Sequence, residues 1–325
     1  MKMENEIFLA RDEVSFNKLA IEIFRFQHEK NTVYREFSNL SGVRPESVNT
    51  VDRIPFLPIE LFRTQQVLSS DEPRELVFES SGTTAMQRSH HYVVSTGLYR
   101  TSLLNTFRLF YGEPEKYWFL ALTPAPAENP VSSLVYMIKT LMNVSGGTDH
   151  GFFLHHPEQL KEIAEGLSKR GERKLFLIGL TYALLDMAEK YPFPFPGIIM
   201  ETGGMKGRRE EITREELHGI LKSGFRVPFI HSEYGMTELL SQSYSGENGL
   251  FKSPPWMKIL IRDQYDPKSF LGEGQTGGIN IIDLANLYSC SFIATQDLGR
   301  IVNRDHFEVL GRFDNSELRG CSLMI

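Results

Sequence analysis

Between Phe16 and about Leu40 the apolar residues Leu19, Ile21, Ile23, Phe24, Phe26, Tyr34 and Phe37 recur at helical spacings, which predicts an N-terminal helical region. The next stretch, Ile54-Pro55-Phe56-Leu57-Pro58-Ile59-Glu60-Leu61-Phe62, cannot begin as a regular helix. Each proline removes a donor and pushes its predecessor towards extended geometry, so the segment reads as a connector packing apolar side chains on the core. Val77 and Phe78 form a strand that runs into Ser80-Ser81-Gly82-Thr83-Thr84. Beyond it, helices over Ser95 to Phe110, Val131 to Met142, Pro157 to Lys169 and Tyr182 to Glu189 alternate with strands at Trp118 to Leu122 and Leu175 to Ile178. Ile198 to Met200 predicts a strand feeding Glu201-Thr202-Gly203-Gly204, Glu210 to Lys222 an amphipathic helix, and Val227 to Ile230 a strand delivering Tyr234 to Glu238. After Gly246 the texture changes to glycine turns and short strands at Ile279 to Ile282, Ser291 to Ala294 and Phe307 to Leu310.

The expected class is therefore α/β, with layered subdomains and a small β-rich C-terminal part. One domain over 1–325 would divide into a helical region (1–70), an α/β part (71–245) and a β-rich closing part with a tail (246–325). In open α/β sheets ligands bind outside the carboxyl ends of strands. The loops at 80–84, 201–204 and 234–238 all follow predicted strands, so they are placed to share one crevice.

Composition narrows the class of function. The chain of 325 residues is 41% hydrophobic and 23% charged, with a net charge of −6 and scattered basic residues, which argues against a nucleic-acid surface. The densest basic run, Lys206 to Arg209, is followed at once by Glu210 and Glu211 and reads as a solvated helix start. Two cysteines, Cys290 and Cys321, give no disulfide framework and fit a reducing compartment. The N-terminus is too charged for a secretory signal, and Leu175 to Leu185 is too short to span a bilayer, so the expectation is a cytoplasmic protein without membrane insertion.

Four polar clusters carry the candidate chemistry. Gly82 tolerates positive φ, successive N–H groups in such a turn converge on an anion, and the Ser80, Ser81, Thr83 and Thr84 hydroxyls add donors. With no GxxxxGK[ST] present, this is not a Walker A loop. The others are Tyr234-Gly235-Met236-Thr237-Glu238, Thr295-Gln296-Asp297-Leu298-Gly299, and Gly311 to Gly320 (GRFDNSELRG). Singly they also read as a polar turn, a helix entry, a capped turn and a surface hairpin. His90-His91 and His155-His156 lack partners at metal spacing, and His231 either lines an acyl pocket or is a satisfied histidine near the crevice.

In order, these clusters resemble the adenylate-forming superfamily of acyl and aryl acid ligases, in which a carboxylate attacks the α-phosphate of ATP and pyrophosphate leaves. SSGTTAMQR keeps the Ser-Gly-Thr-Thr core of that superfamily's phosphate loop, with Ala85, Gln87 and Arg88 where Gly, Pro and Lys are usual. The resemblance implies that Tyr234 and Gly235 lie against adenine, Thr237 at the α-phosphate and Glu238 on Mg²⁺. It further implies Asp297 on the ribose hydroxyls, Arg312 at ribose or phosphate, Asp314 at a hinge, and Gly203 and Gly204 on the adenine side. ATP and Mg²⁺ are the implied cofactors. The superfamily's lysine-bearing mobile C-terminal domain is expected to be missing after the hinge, which would leave Arg88 or Lys206 to help offset charge at the α-phosphate.

The phrase IPFLPIELFRTQQV, the segment ETGGMKG and the terminal RGCSLMI make the chain, from about Phe16 to Ile325, similar to LuxE-type acyl-protein synthetases. These activate a fatty acid and pass the acyl group through a cysteine near the C-terminus to a reductase. That resemblance implies Cys321 as the thiol nucleophile and a fatty or other carboxylic acid as substrate. It also implies an acyl reductase or acyl carrier protein as partner. Cys290, on a strand-like run, is read as structural. Two other readings are a truncated ligase of the phenylacetate-CoA ligase type and a non-catalytic nucleotide- or acyl-binding subunit.

Overall fold

The computed structural model describes residues 2–313 except Arg11, 82–86, Lys206, Glu211 and Glu247. Gly82, Thr83, Thr84, Lys206, Asp314 and Cys321 therefore lie outside the described residues. The chain forms two compact units, Arg74–Pro254 and a second made of Met1–Pro73 with the chain from Pro255.

In chain order the second unit opens with α1 (Lys2–Ile7), α2 (Glu13–Lys30), α3 (Thr32–Leu40), β1 (Leu57–Pro58) and α4 (Leu61–Thr64). The Arg74–Pro254 unit contains β2 (Leu76–Glu79), β3 (His90–Val93), α5 (Thr96–Tyr111), β4 (Tyr117–Leu122), α6 (Ser133–Ser145) and β5 (Gly151–Phe152). It continues with α7 (Pro157–Arg170), β6 (Lys174–Leu180), α8 (Thr181–Lys190), β7 (Gly197–Thr202), α9 (Arg214–Phe225), β8 (His231–Tyr234), β9 (Ser243–Ser245) and β10 (Phe251–Lys252). The second unit resumes with β11 (Met257–Arg262), β12 (Thr276–Asp283), β13 (Phe292–Asn303) and β14 (His306–Arg312).

In the Arg74–Pro254 unit, five parallel strands lie in the order β5-β4-β6-β7-β8, and β9 and β10 extend the β8 edge antiparallel. Both faces of the middle strands are covered. Trp118, Leu120, Leu175, Leu177 and Ile199 pack with α7, α8 and α9, whereas Phe119 and Phe176 meet Phe107 of α5 at ring separations of 5.6 Å. Burial on both sides explains why β4 and β6 read as unbroken apolar runs rather than alternating ones. Each such aromatic contributes about 1.5–3 kcal/mol through burial.

The second unit pairs β11-β12-β13-β14 antiparallel and adds β1 parallel to β13, with Leu57 opposite Ile293. The proline-punctuated connector thus supplies a two-residue strand. The helices are tied to this sheet by polar contacts that water does not reach. Gln27 Nε2 donates to the carbonyls of Asn286 (3.0 Å) and Leu287 (2.8 Å), and Gln27 Oε1 accepts from Ser291 N at 2.9 Å. Among the described residues no helix is long and apolar enough to cross a membrane.

Five expectations are corrected. Val227 to Ile230 is not a strand: Pro228 has no N–H to donate, and β8 begins only at His231. The helix expected from Glu210 starts at Arg214, where the Thr213 hydroxyl accepts from Glu216 N at 3.2 Å and caps it. The basic run before it is not a helix start, because Arg209 turns to Asp186 and to Glu189 (2.8 Å) on α8. Finally, Ser80 does not follow a strand of the parallel sheet. Its strand, β2, pairs antiparallel with β3 in a separate hairpin, and Thr295 to Gly299 lies within β13 rather than in a turn.

Candidate functional site

The turns after β7 and β8 leave adjacent parallel strands at the same edge of the sheet, since Met200 and Glu201 pair with His231 and Ser232. Gly203 (φ 76°) and Gly204 (φ 60°) occupy the left-handed region, so the turn after Thr202 needs glycine at both positions. Thr202 Oγ1 donates to Glu233 Oε2, which ties the Glu201-to-Gly204 turn to the strand carrying Tyr234. At Gly235 a methyl group would lie 2.3 Å from Glu233 Oε1 and 3.4 Å from Gln242 Cγ, so a larger residue there would displace the Glu233 carboxylate.

Glu201 is the electrostatic centre of this edge. It is buried, accepts from Thr181 Oγ1 at 2.8 Å, and has His218 Nε2 at 3.9 Å, an ion-pairing rather than a hydrogen-bonding distance. His218 in turn sits 3.3 Å from Ser232 Oγ. Burial pushes the Glu201 carboxyl up. His218, the Arg214 charge and the Ser232 and Thr181 hydroxyls outweigh burial together and hold the carboxyl below its usual range.

The β2–β3 hairpin joins the same edge. His91, buried on β3, bonds the Thr237 carbonyl through Nδ1 at 2.8 Å. Ser80 N donates to the Ser89 carbonyl at 3.1 Å and Ser80 Oγ accepts from Ser89 N at 2.9 Å, closing the neck of the loop that spans 80–89. The Ser80 hydroxyl keeps its proton for donation. Ser81 is exposed at the start of the loop, and Arg88 at its far side pairs with Glu79 at 3.1 Å.

Tyr234 is buried against Phe251, with ring centroids 5.9 Å apart, and Glu238 is buried two residues beyond Met236. Among the described residues no three His, Cys, Asp or Glu side chains gather as a self-sufficient metal cage. A single buried carboxylate, Glu238, has the donor chemistry that Mg²⁺ accepts, because Mg²⁺ commonly takes one or two carboxylates and completes its shell with phosphate oxygens and water. His231 is satisfied by the Tyr111 hydroxyl at 3.2 Å.

A cavity of about 730 Å³ opens beside this edge. Leu122 ends β4 and Pro124 follows it, Leu154 and His155 follow β5, Tyr182 and Ala183 follow β6, and Ser80, Ser81 and Arg88 close one side. It lies where the strand order reverses, at β4, the position at which an open α/β sheet forms its crevice. The Tyr234-to-Glu238 residues do not line it, so the cavity and the β7–β8 turns are neighbouring features joined through the hairpin.

In the other unit Asp297 on β13 stands opposite Arg312 on β14, with Arg312 Nε 3.5 Å from Asp297 Oδ1. Cys290 is buried there, its Sγ 3.4 Å from the Phe292 carbonyl, and burial pushes the thiol up to about 12 against the opposing effect of that bond. It is not a thiolate at neutral pH.

The fold has known counterparts. ATP-bound MatB from Rhodopseudomonas palustris is similar at 15% identity and a TM-score of 0.53, covering 75% of this chain and 49% of its own. A 2-hydroxyisobutyryl-CoA ligase in complex with 2-HIB-AMP and CoA is similar at 12% identity and a TM-score of 0.68, covering 94% of this chain and 70% of its own. The amide bond synthetase McbA from Marinactinospora thermotolerans gives 15%, 0.51, 73% and 48% in the same terms. The fold is that of adenylate-forming ligases. The chain spans about half the length of MatB and McbA. Comparison with protein-family models and with curated sequences finds no match.

His218, Glu233 and Gln242 were not among the residues singled out from sequence, whereas Glu201 and Thr202 were named only as members of the 201–204 turn and His91 only as lacking a metal partner. Of the three, Glu233 alone carried a signal, as an acidic residue next to a marked turn.

Proposed function

We propose that this chain activates a carboxylic acid as its adenylate and passes the acyl group to a thiol. The observation that supports this best is the bonding of three loops at one sheet edge. Thr202 joins Glu233 between the β7 and β8 turns, and His91 joins the hairpin to Thr237. In the reaction a carboxylate oxygen attacks the α-phosphorus, the bond to the bridging oxygen breaks, and pyrophosphate carries off the electron pair. Ser80 and Ser81 with Gly82, Thr83 and Thr84 hold the β- and γ-phosphates, and Thr237 hydrogen-bonds the α-phosphate. Tyr234, Gly235, Gly203 and Gly204 flank adenine. Glu238 would hold Mg²⁺, which supplies charge neutralisation on the phosphates. Arg88 turns from Glu79 to the phosphates, and Lys206 is its candidate companion. Asp297 and Arg312 keep the ribose roles that the superfamily resemblance gives them.

The acyl acceptor in this reading is Cys321: its thiolate attacks the acyl carbon and AMP departs, leaving a thioester for an acyl reductase or carrier protein. A fatty acid is the substrate implied by the LuxE-type resemblance. The likeness to a ligase whose complex holds CoA favours a second reading, in which free CoA or a carrier thiol takes the acyl group directly.

Acid-dependent ATP–pyrophosphate exchange across a panel of fatty, aryl and short polar acids tests the first step. No exchange with any acid would reduce the chain to a binding subunit. Incubation with ATP, Mg²⁺ and labelled acid tests the second. Hydroxylamine-labile label on the wild-type chain that is absent from Cys321→Ala supports the protein thioester, and undiminished label on that variant removes Cys321. Acyl-CoA formed with no labelled protein selects the second reading. An Arg88→Ala, Lys206→Ala double variant adenylating at the full rate would sink their part in offsetting charge.

A further inference from the structure

The chain that leaves β7 at Gly203 passes along α8 as far as Arg209. Gly203, Gly204 and Gly207 (φ 76°, 60° and 68°) lie in the left-handed region, and glycine backbone gives the segment little stiffness of its own. Side chains supply its fixed points. Met205 is 2% exposed in the apolar cluster that includes Tyr182, Leu185 and Met187 of α8, and its carbonyl accepts from Arg208 N at 3.0 Å to close a turn. The Arg208 guanidinium stands 4.7 Å from the centroid of the Tyr182 ring.

Arg209 is the most directional of these anchors. Its Nη1 donates to Glu189 Oε1 at 2.9 Å and its Nη2 to Glu189 Oε2 at 2.8 Å, a two-bond fork, and Nη2 also donates to Asp186 Oδ1. The bonds from Arg209 hold the Glu189 carboxyl below its usual range. Arg209 is 27% exposed and its partners 44% and 45%, and ion pairs so open to water contribute little to stability. The fork's worth is therefore in direction. Thr202, bonded to Glu233, ties the near end of the segment, and Arg209 ties the far end, so the Gly203-Gly204 turn is held from both sides. A turn ordered in advance binds its ligand without the cost of ordering two glycines.

We propose that Arg209 is a positioning residue: its fork on Glu189, with Asp186 beside it, holds the Gly203-Gly204 turn in the conformation that receives the adenine side of ATP. This rests on the adenylation reading, in which that turn flanks adenine. Arg209 acts through the turn and touches no part of the nucleotide. Its loss therefore falls on nucleotide binding rather than on the chemical step.

The test compares the wild type with Arg209→Gln, Arg209→Lys, Glu189→Gln and the double variant Arg209→Gln, Glu189→Gln in acid-dependent ATP–pyrophosphate exchange. Removing the fork should raise the KM for ATP about fivefold, with kcat within about twofold and the melting temperature nearly unchanged. Arg209→Lys should not restore the KM, because an ammonium cannot bond both carboxylate oxygens as a planar fork does. The double variant should be no worse than Arg209→Gln, since the two residues act as one unit. An unchanged KM for ATP in Arg209→Gln overturns the proposal. Full recovery in Arg209→Lys overturns it too, by reducing the residue to a point charge, and so does a rise in KM that comes only with a large fall in melting temperature. If Arg209→Gln does not fold, Glu189→Gln breaks the same fork and carries the comparison. Absence of exchange with every acid sinks the adenylation reading alone. Calorimetric titration with ATP and with tripolyphosphate, which has no adenine, then decides the positioning role. Weaker binding of ATP by Arg209→Gln with tripolyphosphate unaffected supports it. Equal ATP affinity in the two proteins, no ATP binding by either, or parallel losses for both ligands overturn it.

Discussion

Two carboxylates, Glu201 at the end of β7 and Asp297 in the β13–β14 ladder, hold charge in opposite ways. Glu201 is enclosed by two buried hydroxyls, Thr181 at 2.8 Å and Ser232 near His218, and by the half-buried His218 at 3.9 Å. Asp297 faces a guanidinium 3.5 Å away whose own side chain is 76% exposed. The difference lies in what water can do. Around Glu201 no solvent replaces a lost partner, so the network fixes the Thr202–Gly203–Gly204 turn before any ligand arrives. Arg312 can exchange Asp297 for water or for a ligand at small cost, so that pair can reorganise around a substrate.

Breaking the buried side gives the largest effect. Glu201→Ala should lower stability by about 3–5 kcal/mol, because it leaves His218 and two hydroxyls facing a cavity without their acceptor. Urea denaturation checks this, and a loss under 1 kcal/mol would mean the network is ornamental to the fold. The same group sets an acid limb. Its folded carboxyl is held below the ordinary value of 4.5, so its stabilisation is fully present above that pH and is lost as the pH falls through the lower, folded value. Glu201→Gln should flatten the fall in melting temperature below about pH 4.5, and an unchanged acid limb would remove Glu201 as its source.

A single donor is worth less than the whole centre. Thr181→Val should cost about 1–3 kcal/mol by the same measurement, since it deletes both the 2.8 Å bond to Glu201 and the 3.2 Å bond to the Thr202 carbonyl. If Thr181→Val proved as costly as Glu201→Ala, the hydroxyl rather than the carboxylate would be the centre of the network.

The sequence exposed these two regions unequally. β4 and β6 were legible because burial on both faces makes them continuous apolar runs, and the helices on either side because their apolar spacing and caps are local. Val227 to Ile230 misled because an apolar run resembles a strand while Pro228 denies it a ladder, and the strand that forms, His231 to Tyr234, is built from polar residues alternating in burial. The marked turns were legible as glycine and hydroxyl clusters. Their scaffolding was not: His91, Glu233 and Gln242 gain meaning only from a cross-strand register or a contact between hairpin and sheet, and no local pattern encodes those. Asp297 was legible as a residue, but its place inside a twelve-residue strand was not, because Gln296 and Asp297 break the apolar alternation that marks β13 elsewhere.

The smallest structural effect is expected on the exposed side, and it carries the sharpest functional contrast. Asp297→Asn should change stability by less than about 1 kcal/mol, because it removes one charge from a pair whose other member is already solvated. If Asp297 contacts the ribose hydroxyls, the same variant should raise the KM for ATP about tenfold, a loss of about 1.4 kcal/mol of binding. It should also narrow the difference between ATP and its 2′,3′-dideoxy analogue. Arg312→Ala separates the alternatives. A ladder ion pair with no ligand role would give two variants alike in stability and neither altered in KM. A ligand-facing pair would give two small stability changes accompanied by nucleotide-affinity losses that are not additive, since Asp297 and Arg312 touch each other. Large stability losses from either variant would erase the contrast with Glu201 and place both carboxylates among the supports of the fold.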